Sequence, residues 1–249
     1  MQAIATESGV VSVKRHAPGQ FQPAHSHDFD KVSLMLSGSV LERRGTAERT
    51  VEAGWAVVKP AGVTHEDWIG PHGLRTLTLV ASPRGEASEA WRGLVQDYRW
   101  IPIERSVAKL LRLFADRVED PATVIEEAVF ALAARVCPLK SDKDDWYAQA
   151  VTLLEETCTD PPSLTDLARQ VSVHPVTLSR AFGKRGTSKS EIVHMCRARH
   201  AMRLIPQRKP IAALAAELGF ADSAHFARSF RHCTGISPTE FHARFGRNS

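Results

Sequence analysis

The sequence predicts an α+β protein of two domains: an N-terminal antiparallel β-barrel, then linker helices and an all-α C-terminal domain. Three observations carry this. Short apolar runs separated by turn residues recur from Val10 to Ser82, a helical pattern is written twice between Ser163 and Phe245, and charge divides between the two halves. Pro161 to Ser249 holds 14 Lys/Arg against 5 Asp/Glu, whereas the rest of the 249-residue chain holds 18 against 23. A basic half joined to an acidic half suggests a polyanionic partner for the first only, because Lys and Arg gain affinity by neutralising phosphates.

Composition bounds the class. With 43% hydrophobic and 24% charged residues the chain is that of a globular protein. No apolar run reaches bilayer length, and Met1-Gln-Ala-Ile-Ala-Thr-Glu7 lacks the basic-then-apolar order of an export signal, so no membrane contact and a cytoplasmic location are expected. Cys137, Cys158, Cys196 and Cys233 are isolated, form no Cys-x-x-Cys pair and read as inert thiols.

Taken in order, Val10-Val-Ser-Val13, Lys31-Val-Ser-Leu-Met-Leu36, Trp55-Ala-Val-Val58 and Leu74-Arg-Thr-Leu-Thr-Leu-Val80 are strand-like runs at the spacing of an antiparallel sandwich or barrel. Within them lie two clusters. The first is Gly19, His25-Ser-His27, Lys31 and Gly38; the second is Gly54, Pro60-Ala-Gly62, His65 and Ile69. Their spacing resembles the two motifs of cupin barrels, which implies a cupin-like domain over residues 1–82.

The resemblance also implies a metal-binding glutamate where Lys31 stands, and usually an asparagine at Ile69. His25, His27 and His65 remain, and three neutral imidazoles can hold Zn²⁺ or a similar ion with one open position. A Lys31 ammonium at the fourth corner repels a cation unless it points away. The competing readings are a pocket of His25, His27, Lys31 and His65 for a small carboxylate or other anion, or histidines that only satisfy hydrogen bonds at strand ends. No cofactor is required by this pattern. Asp28, Glu66, Asp67, Trp68 and His72 lie close by in sequence without an assigned role.

Ser82-Pro83-Arg84-Gly85 reads as a boundary, with a helical linker over 83–143. Val107, Leu110, Leu111, Phe114 and Val118 mark one helix that Asp120-Pro121 ends, and Ile125, Val129, Leu132 and Val136 mark a second. Pro138 to Asp145 reads as an exposed linker. The apolar stripes suit either a dimer contact or packing on the barrel. Asp144 or Asp145 then opens a helix through Ala148, Val151, Leu153 and Leu154, the start of a domain over 144–249.

The duplicated pattern falls at 164–183 and 211–231. In the first copy Leu164, Leu167, Ala168 and Val171 form one stripe, His174-Pro175 restarts the chain with Pro at the first helical position, and Leu178, Ala181 and Phe182 form the second stripe. In the second copy Ile211, Leu214, Ala215 and Leu218 form the stripe, Gly219 suits a left-handed cap, and Asp222 or Ser223 can cap the next helix. A constant offset of 48 residues pairs Leu167 with Ala215, Leu178 with Phe226, Arg180 with Arg228 and Phe182 with Phe230. Between the copies, Glu191 to Ile205 reads as one long helix with Ile192, Met195, Cys196, Met202 and Ile205 inward and Arg197, Arg199 and Arg203 exposed, on phosphate or in surface ion pairs. Both copies are helix-turn-helix units.

Leu178-Ser-Arg-Ala-Phe182, Gly219-Phe220, Phe226-Ala-Arg-Ser-Phe230 and Gly235-Ile-Ser-Pro-Thr-Glu-Phe241 together resemble the DNA-binding domain of AraC/XylS transcription regulators. The resemblance implies a sequence-specific regulator of double-stranded promoter DNA, controlled by a small-molecule effector bound in the barrel. It implies a homodimer formed through a linker helix, contact with RNA polymerase in an activator, and no enzymatic activity. It places Val176, Thr177, Ser179 and Arg180 of the first unit near the major groove, and Ser223, Ala224, His225 and Arg228 of the second. The alternative is a cupin metalloenzyme or metal sensor joined to a DNA-binding domain. The missing glutamate and the absence of another acid–base set argue against the enzyme.

Overall fold

The computed structural model describes residues 2–82, 87–103, 108–114, 120–136, 145–207 and 209–246. Eight strands come first: β1 (Gln2–Thr6), β2 (Gly9–His16), β3 (Phe21–His25), β4 (Lys31–Arg44), β5 (Ala47–Glu52), β6 (Trp55–Lys59), β7 (His65–Ala81) and β8 (Arg99–Pro102). All their ladders are antiparallel, in the order β1-β2-β7-β4-β6-β8, with β3 also on β7 and β5 also on β4. The expected antiparallel sheet domain is present. A ladder closing it into a barrel is not among these pairings.

Alternation along the strands sends side chains to two faces. Val11, Leu34, Leu36, Leu77 and Leu79 enter the main core, whereas Met35, Val40, Val57, Ile69 and Leu74 form a separate cluster on the opposite face. Gly38 is fixed by geometry twice over: its φ is +79°, and a Cβ there would lie 1.9 Å from the Gly73 carbonyl oxygen. The sheet also runs past residue 82. β8 lies in the segment expected to be wholly helical, and it covers the outer edge of β6.

The helices are α1 (Ser88–Leu94), α2 (Pro121–Val136), α3 (Asp145–Glu156), α4 (Leu164–Gln170), α5 (Pro175–Lys184), α6 (Lys189–Leu204), α7 (Ile211–Glu217), α8 (Ser223–Thr234) and α9 (Pro238–Phe245), with 3₁₀ turns at Lys109–Phe114 and Ile205–Gln207. Of the helix expected from Val107 to Val118, the described residues show a 3₁₀ turn at Lys109–Phe114. Asp120 begins a helix: the Ala122 and Thr123 amides donate to its Oδ1 at 3.1 and 3.3 Å, and Pro121 takes the first helical position. Ile125, Val129 and Leu132 of α2, with Leu110, Leu111 and Phe114, are buried in the main core. The described residues of the two stripes therefore pack within the chain. Val107, Val118, Cys137 and residues 138–144 lie outside the described residues, as do positions 83–85 of the expected boundary.

The main core does not stop at the sheet. It continues through Trp91 and α2 into Phe226, Phe230, Phe241 and Phe245 of the second helix-turn-helix unit. The first unit instead has a core of its own, in which Ala150, Leu154, Leu167, Ala168, Val171, Leu178 and Phe182 pack with Val193 and Cys196. Further ties hold the second unit and α6 to the sheet: the Arg203–Glu52 ion pair at 2.7 Å, Arg75 Nη1 donating to the Arg244 carbonyl at 2.6 Å, and Gly54 packed against Arg199.

Two further expectations change. The copies are offset by 47 residues across their first helices and by 48 across their second, because the turn of the second copy is one residue longer. Leu167 thus corresponds to Leu214 and Ala168 to Ala215, all four buried, and Ser172 at φ +56° does what Gly219 does at +73°. Arg197, expected on the surface, is 8% exposed: its Nε donates to the Cys158 carbonyl at 2.6 Å, its Nη2 to the Thr159 carbonyl at 3.1 Å, and it lies 4.9 Å over the Phe220 ring. Arg199 pairs with Glu155 at 2.6 Å. Arg203, its side chain 40% exposed, makes the surface ion pair with Glu52, one of the two expected arrangements.

Candidate nucleic-acid interface and sheet pocket

In the first unit α5 starts at Pro175, with the Val176 amide donating to His174 Nδ1 at 3.3 Å. Leu178, Ala181 and Phe182 anchor one face, leaving Val176, Thr177, Ser179 and Arg180 exposed on the other. The second unit repeats this. Asp222 caps α8 by accepting from the His225 amide at 2.6 Å, Phe226 and Phe230 anchor it, and Ala224 and Arg228 are exposed. Ser223 is half-buried. His225 is half-buried too, its ring edge-on to Phe220 at 5.2 Å and to His194 at 6.1 Å, so its backbone and ring help hold the turn as well as facing outward.

Arg180 and Arg228 make no ion pair or side-chain hydrogen bond among the described residues. An unpaired guanidinium at the same position of two equivalent helices is available for a phosphate or a guanine edge. Exposed Lys184 and Arg231 extend the cationic surface of the two helices.

The second site lies in the sheet domain. His25 ends β3, His65 begins β7 directly opposite it, and His27 lies on the connection to β4, which Lys31 opens. The ring centroids stand 4.4 Å apart for His25 and His65, 5.0 Å for His25 and His27, and 5.1 Å for His27 and His65. The sequence had placed all four residues in one site, and the fold brings them together. The ring Nδ1 of His25 lies 2.8 Å from the Pro23 carbonyl and that of His65 3.1 Å from the Val63 carbonyl, an arrangement that turns each Nε2 inward. The Lys31 ammonium donates to His27 Nε2.

Below them sits a buried charge network that the sequence did not reveal. Lys59 forms ion pairs with Glu42 and, at 3.4 Å, with Asp67, while the Trp100 indole N–H donates to Glu42 at 2.7 Å. These groups come from β4, β6, β7 and β8, so only the sheet register assembles them. Burial, with Lys31 and His65 beside it, lowers the His27 pKa to about 3, and burial with Lys59 nearby lowers His65 to about 4. Burial and Lys59 likewise lower Lys31 to about 7. An adjoining cavity of about 490 Å³ is lined by His25, His27, Lys31, Lys59 and Asp67 on its polar side and by Met35, Val40 and Ile69 on its apolar side. That combination suits a small molecule with an anionic head and an apolar body.

The metal fit is poor. His25, His27 and His65 offer ligand atoms within 4.8 Å of one another, but Lys31 Nζ lies in hydrogen-bond contact with His27 Nε2, and its ammonium form repels a cation at the cluster.

Comparison with known proteins bears on the C-terminal region. A family model described as a helix-turn-helix domain matches residues 167–244. Uncharacterized HTH-type transcriptional regulators of Mycobacterium tuberculosis and Mycobacterium bovis are each 27% identical over 84 residues, which is 33% of this chain and 24% of theirs. The chain thus matches about a quarter of the length of these curated relatives. Among solved structures, an AraC-type DNA-binding domain protein of Chromobacterium violaceum is 28% identical, with 44% of this chain and all of that one covered at a TM-score of 0.40. ToxT of Vibrio cholerae covers 97% of this chain and all of its own at 12% identity and a TM-score of 0.42, and another ToxT structure holds an unsaturated fatty acid. Among the described residues no helix is long and apolar enough to cross a membrane.

Proposed function

We propose, from the match of residues 167–244 to a helix-turn-helix domain and the residues that resemble AraC/XylS regulators, that this chain regulates transcription by binding double-stranded promoter DNA under control of a small effector. The observation that carries the reading is the repeated placement of an exposed, unpaired arginine, Arg180 and Arg228, on two helices anchored by equivalent apolar residues. Val176, Thr177 and Ser179 accompany the first arginine at the groove, and Ser223, Ala224 and His225 the second. Val176 and Ala224 offer only apolar contact, suited to a thymine methyl, so phosphate contacts weigh heavily in affinity. Two units on one joining helix suit successive major-groove turns, roughly 34 Å apart.

The effector site is the sheet pocket, with the sheet curled around it as a barrel. Lys31 and the His25 and His27 rings, with the buried His65 packed behind them, would hold an anionic group, while Met35, Val40 and Ile69 receive the apolar part. The pocket lies on the face of the sheet opposite the core shared with the second unit, so effector binding would bias that unit by shifting the strands between them, provided the effector binds two arrangements with different affinity. A homodimer, and RNA polymerase contact in an activator, complete the reading.

Fluorescence anisotropy with promoter fragments tests it. Specific binding that weakens as log Kd climbs linearly with log salt supports it, and each of Arg180→Ala and Arg228→Ala should then cost roughly 1–3 kcal/mol. Equal affinity for promoter and random duplex under all conditions would reject it.

The metal-sensor reading keeps one specific observation, the inward Nε2 atoms of His25 and His65. Lys31→Glu restores the acid expected of a cupin site and should raise zinc affinity at least tenfold, whereas the unaltered chain should hold zinc weakly in competition with a chelating dye.

A further inference from the structure

Cys158 and Cys196 stand 38 positions apart in the sequence, yet Cys196 S–H donates to Cys158 Sγ at 2.8 Å. Cys158 follows α3, Cys196 lies in the middle of α6, and the two are 1% and 2% exposed. Disulfide sulfurs are about 2.0 Å apart, so less than an ångström of approach separates this contact from a bond. A zinc ion about 2.3 Å from each sulfur would instead require the two to move apart toward tetrahedral spacing. His200, half-buried, completes the cluster with its Nδ1 3.9 Å from Cys158 Sγ and its Nε2 3.9 Å from Cys196 Sγ.

The two thiols are not alike. The hydrogen bond from Cys196 lowers the Cys158 pKa to about 7, aided by Arg197 and Arg199, and the same bond pushes Cys196 upward. One sulfur is therefore a thiolate nucleophile near neutrality and the other a thiol placed to resolve it.

We propose that Cys158 and Cys196 are a site of reversible oxidation, at which a peroxide-class oxidant joins the end of α3 to the joining helix α6 through a disulfide. The Cys158 thiolate attacks a peroxide oxygen and the O–O bond breaks. This gives a sulfenic acid and a hydroxide that takes a proton to become water. Cys196 then loses its proton and attacks the sulfenic sulfur, the S–S bond forms, and a second water leaves. Two thiols and one hydrogen peroxide give one disulfide and two waters. The small opening needed to admit peroxide is a local motion of the turn at 157–160, which joins α3 to the loop before α4.

The position gives the bond a consequence. Arg197, the residue after Cys196, grips the Cys158 and Thr159 carbonyls and stacks on Phe220 of the second unit. Oxidation therefore acts at the contact through which the first unit meets the second, and couples peroxide level to the DNA-binding domain.

The test treats the full unaltered chain with a few equivalents of hydrogen peroxide, blocks free thiols with N-ethylmaleimide, digests without reductant and maps the peptides by mass spectrometry. The expected product is a Cys158–Cys196 cross-linked peptide two hydrogens lighter than its parts. It should disappear on dithiothreitol, persist in a Cys137→Ser/Cys233→Ser chain and be absent from Cys196→Ser. Separate alkylation of both cysteines after treatment would overturn the proposal, as would advance of Cys158 to the sulfinic acid without a cross-link. So would stoichiometric zinc that shields the pair from peroxide until it is chelated. The mapping rests on the unaltered chain, so a serine variant that fails to fold leaves the answer intact.

Discussion

Arg197 shows how a residue's role follows from its partners and not from its type. On an exposed helix face it would be a phosphate contact; here its guanidinium satisfies two carbonyls at the end of the first domain helix and lies on Phe220. Arg197→Ala would leave both acceptors short of a donor in a buried place and should lower the unfolding free energy by roughly 2–4 kcal/mol in urea titration. Lysine should rescue little, because one ammonium cannot reproduce the fork. The pocket histidines give a pH test. The ordinary pKa of 6.5 falls to about 3 for His27 and about 4 for His65 on folding. Between those limits the unfolded chain holds more protons than the folded one, so stability rises with pH across that window. In metal-free buffer the urea midpoint should rise from pH 4 to pH 6.5, and the rise should shrink in His65→Asn. The resemblance to the two cupin motifs implied which histidines and lysine meet, and the fold brings them together. The sequence named Asp67 among the neighbours without a role and did not reveal Glu42 and Lys59, whose meeting with it depends on register between strands far apart in the chain.

The helices from Pro121 to Thr234 were legible as elements because apolar stripes at helical spacing and capping residues mark them, whereas α1 and α9 were not singled out and the stripe at Leu110, Leu111 and Phe114 is a 3₁₀ turn. Strands β1, β3, β5 and β8 were not legible: each is short and largely polar or half-exposed, and β3 even contains Pro23. The one-residue difference between the two turns was visible in the stripes themselves, since Leu164 to Val171 and Ile211 to Leu218 are 47 apart. A fixed offset of 48, taken from the second helices, concealed it. Ser172 takes the left-handed conformation that Gly219 takes in the other copy, and a serine there carries no sequence signal. The N-cap of α8 is the element that aims Arg228. Asp222→Ala should cost about 1 kcal/mol of stability and fray the first turn of the helix, seen as faster amide exchange at His225.

At the scale of the whole molecule, the two helix-turn-helix units are repeats in sequence but not in surroundings. The second shares its core with the sheet domain and the first stands on a smaller core of its own. Hydrogen exchange should therefore show the first unit opening separately, below the free energy of the rest. Leu178→Ala, at a cost of roughly 2–5 kcal/mol, should accelerate exchange in α3, α4 and α5 but not in the sheet, whereas Phe230→Ala, at roughly 3–5 kcal/mol, should accelerate it in the second unit and the sheet together. Equal responses to both would contradict the shared core.

The central claim is that each unit reads DNA through one arginine-bearing helix. Selection of bound sequences from a random duplex pool, repeated with Arg180→Ala and Arg228→Ala, tests it most directly. The account predicts an asymmetric motif of two blocks about one helical turn apart, with each substitution erasing a different block. A motif that survives both substitutions unchanged, or one that both erase in the same place, would contradict it.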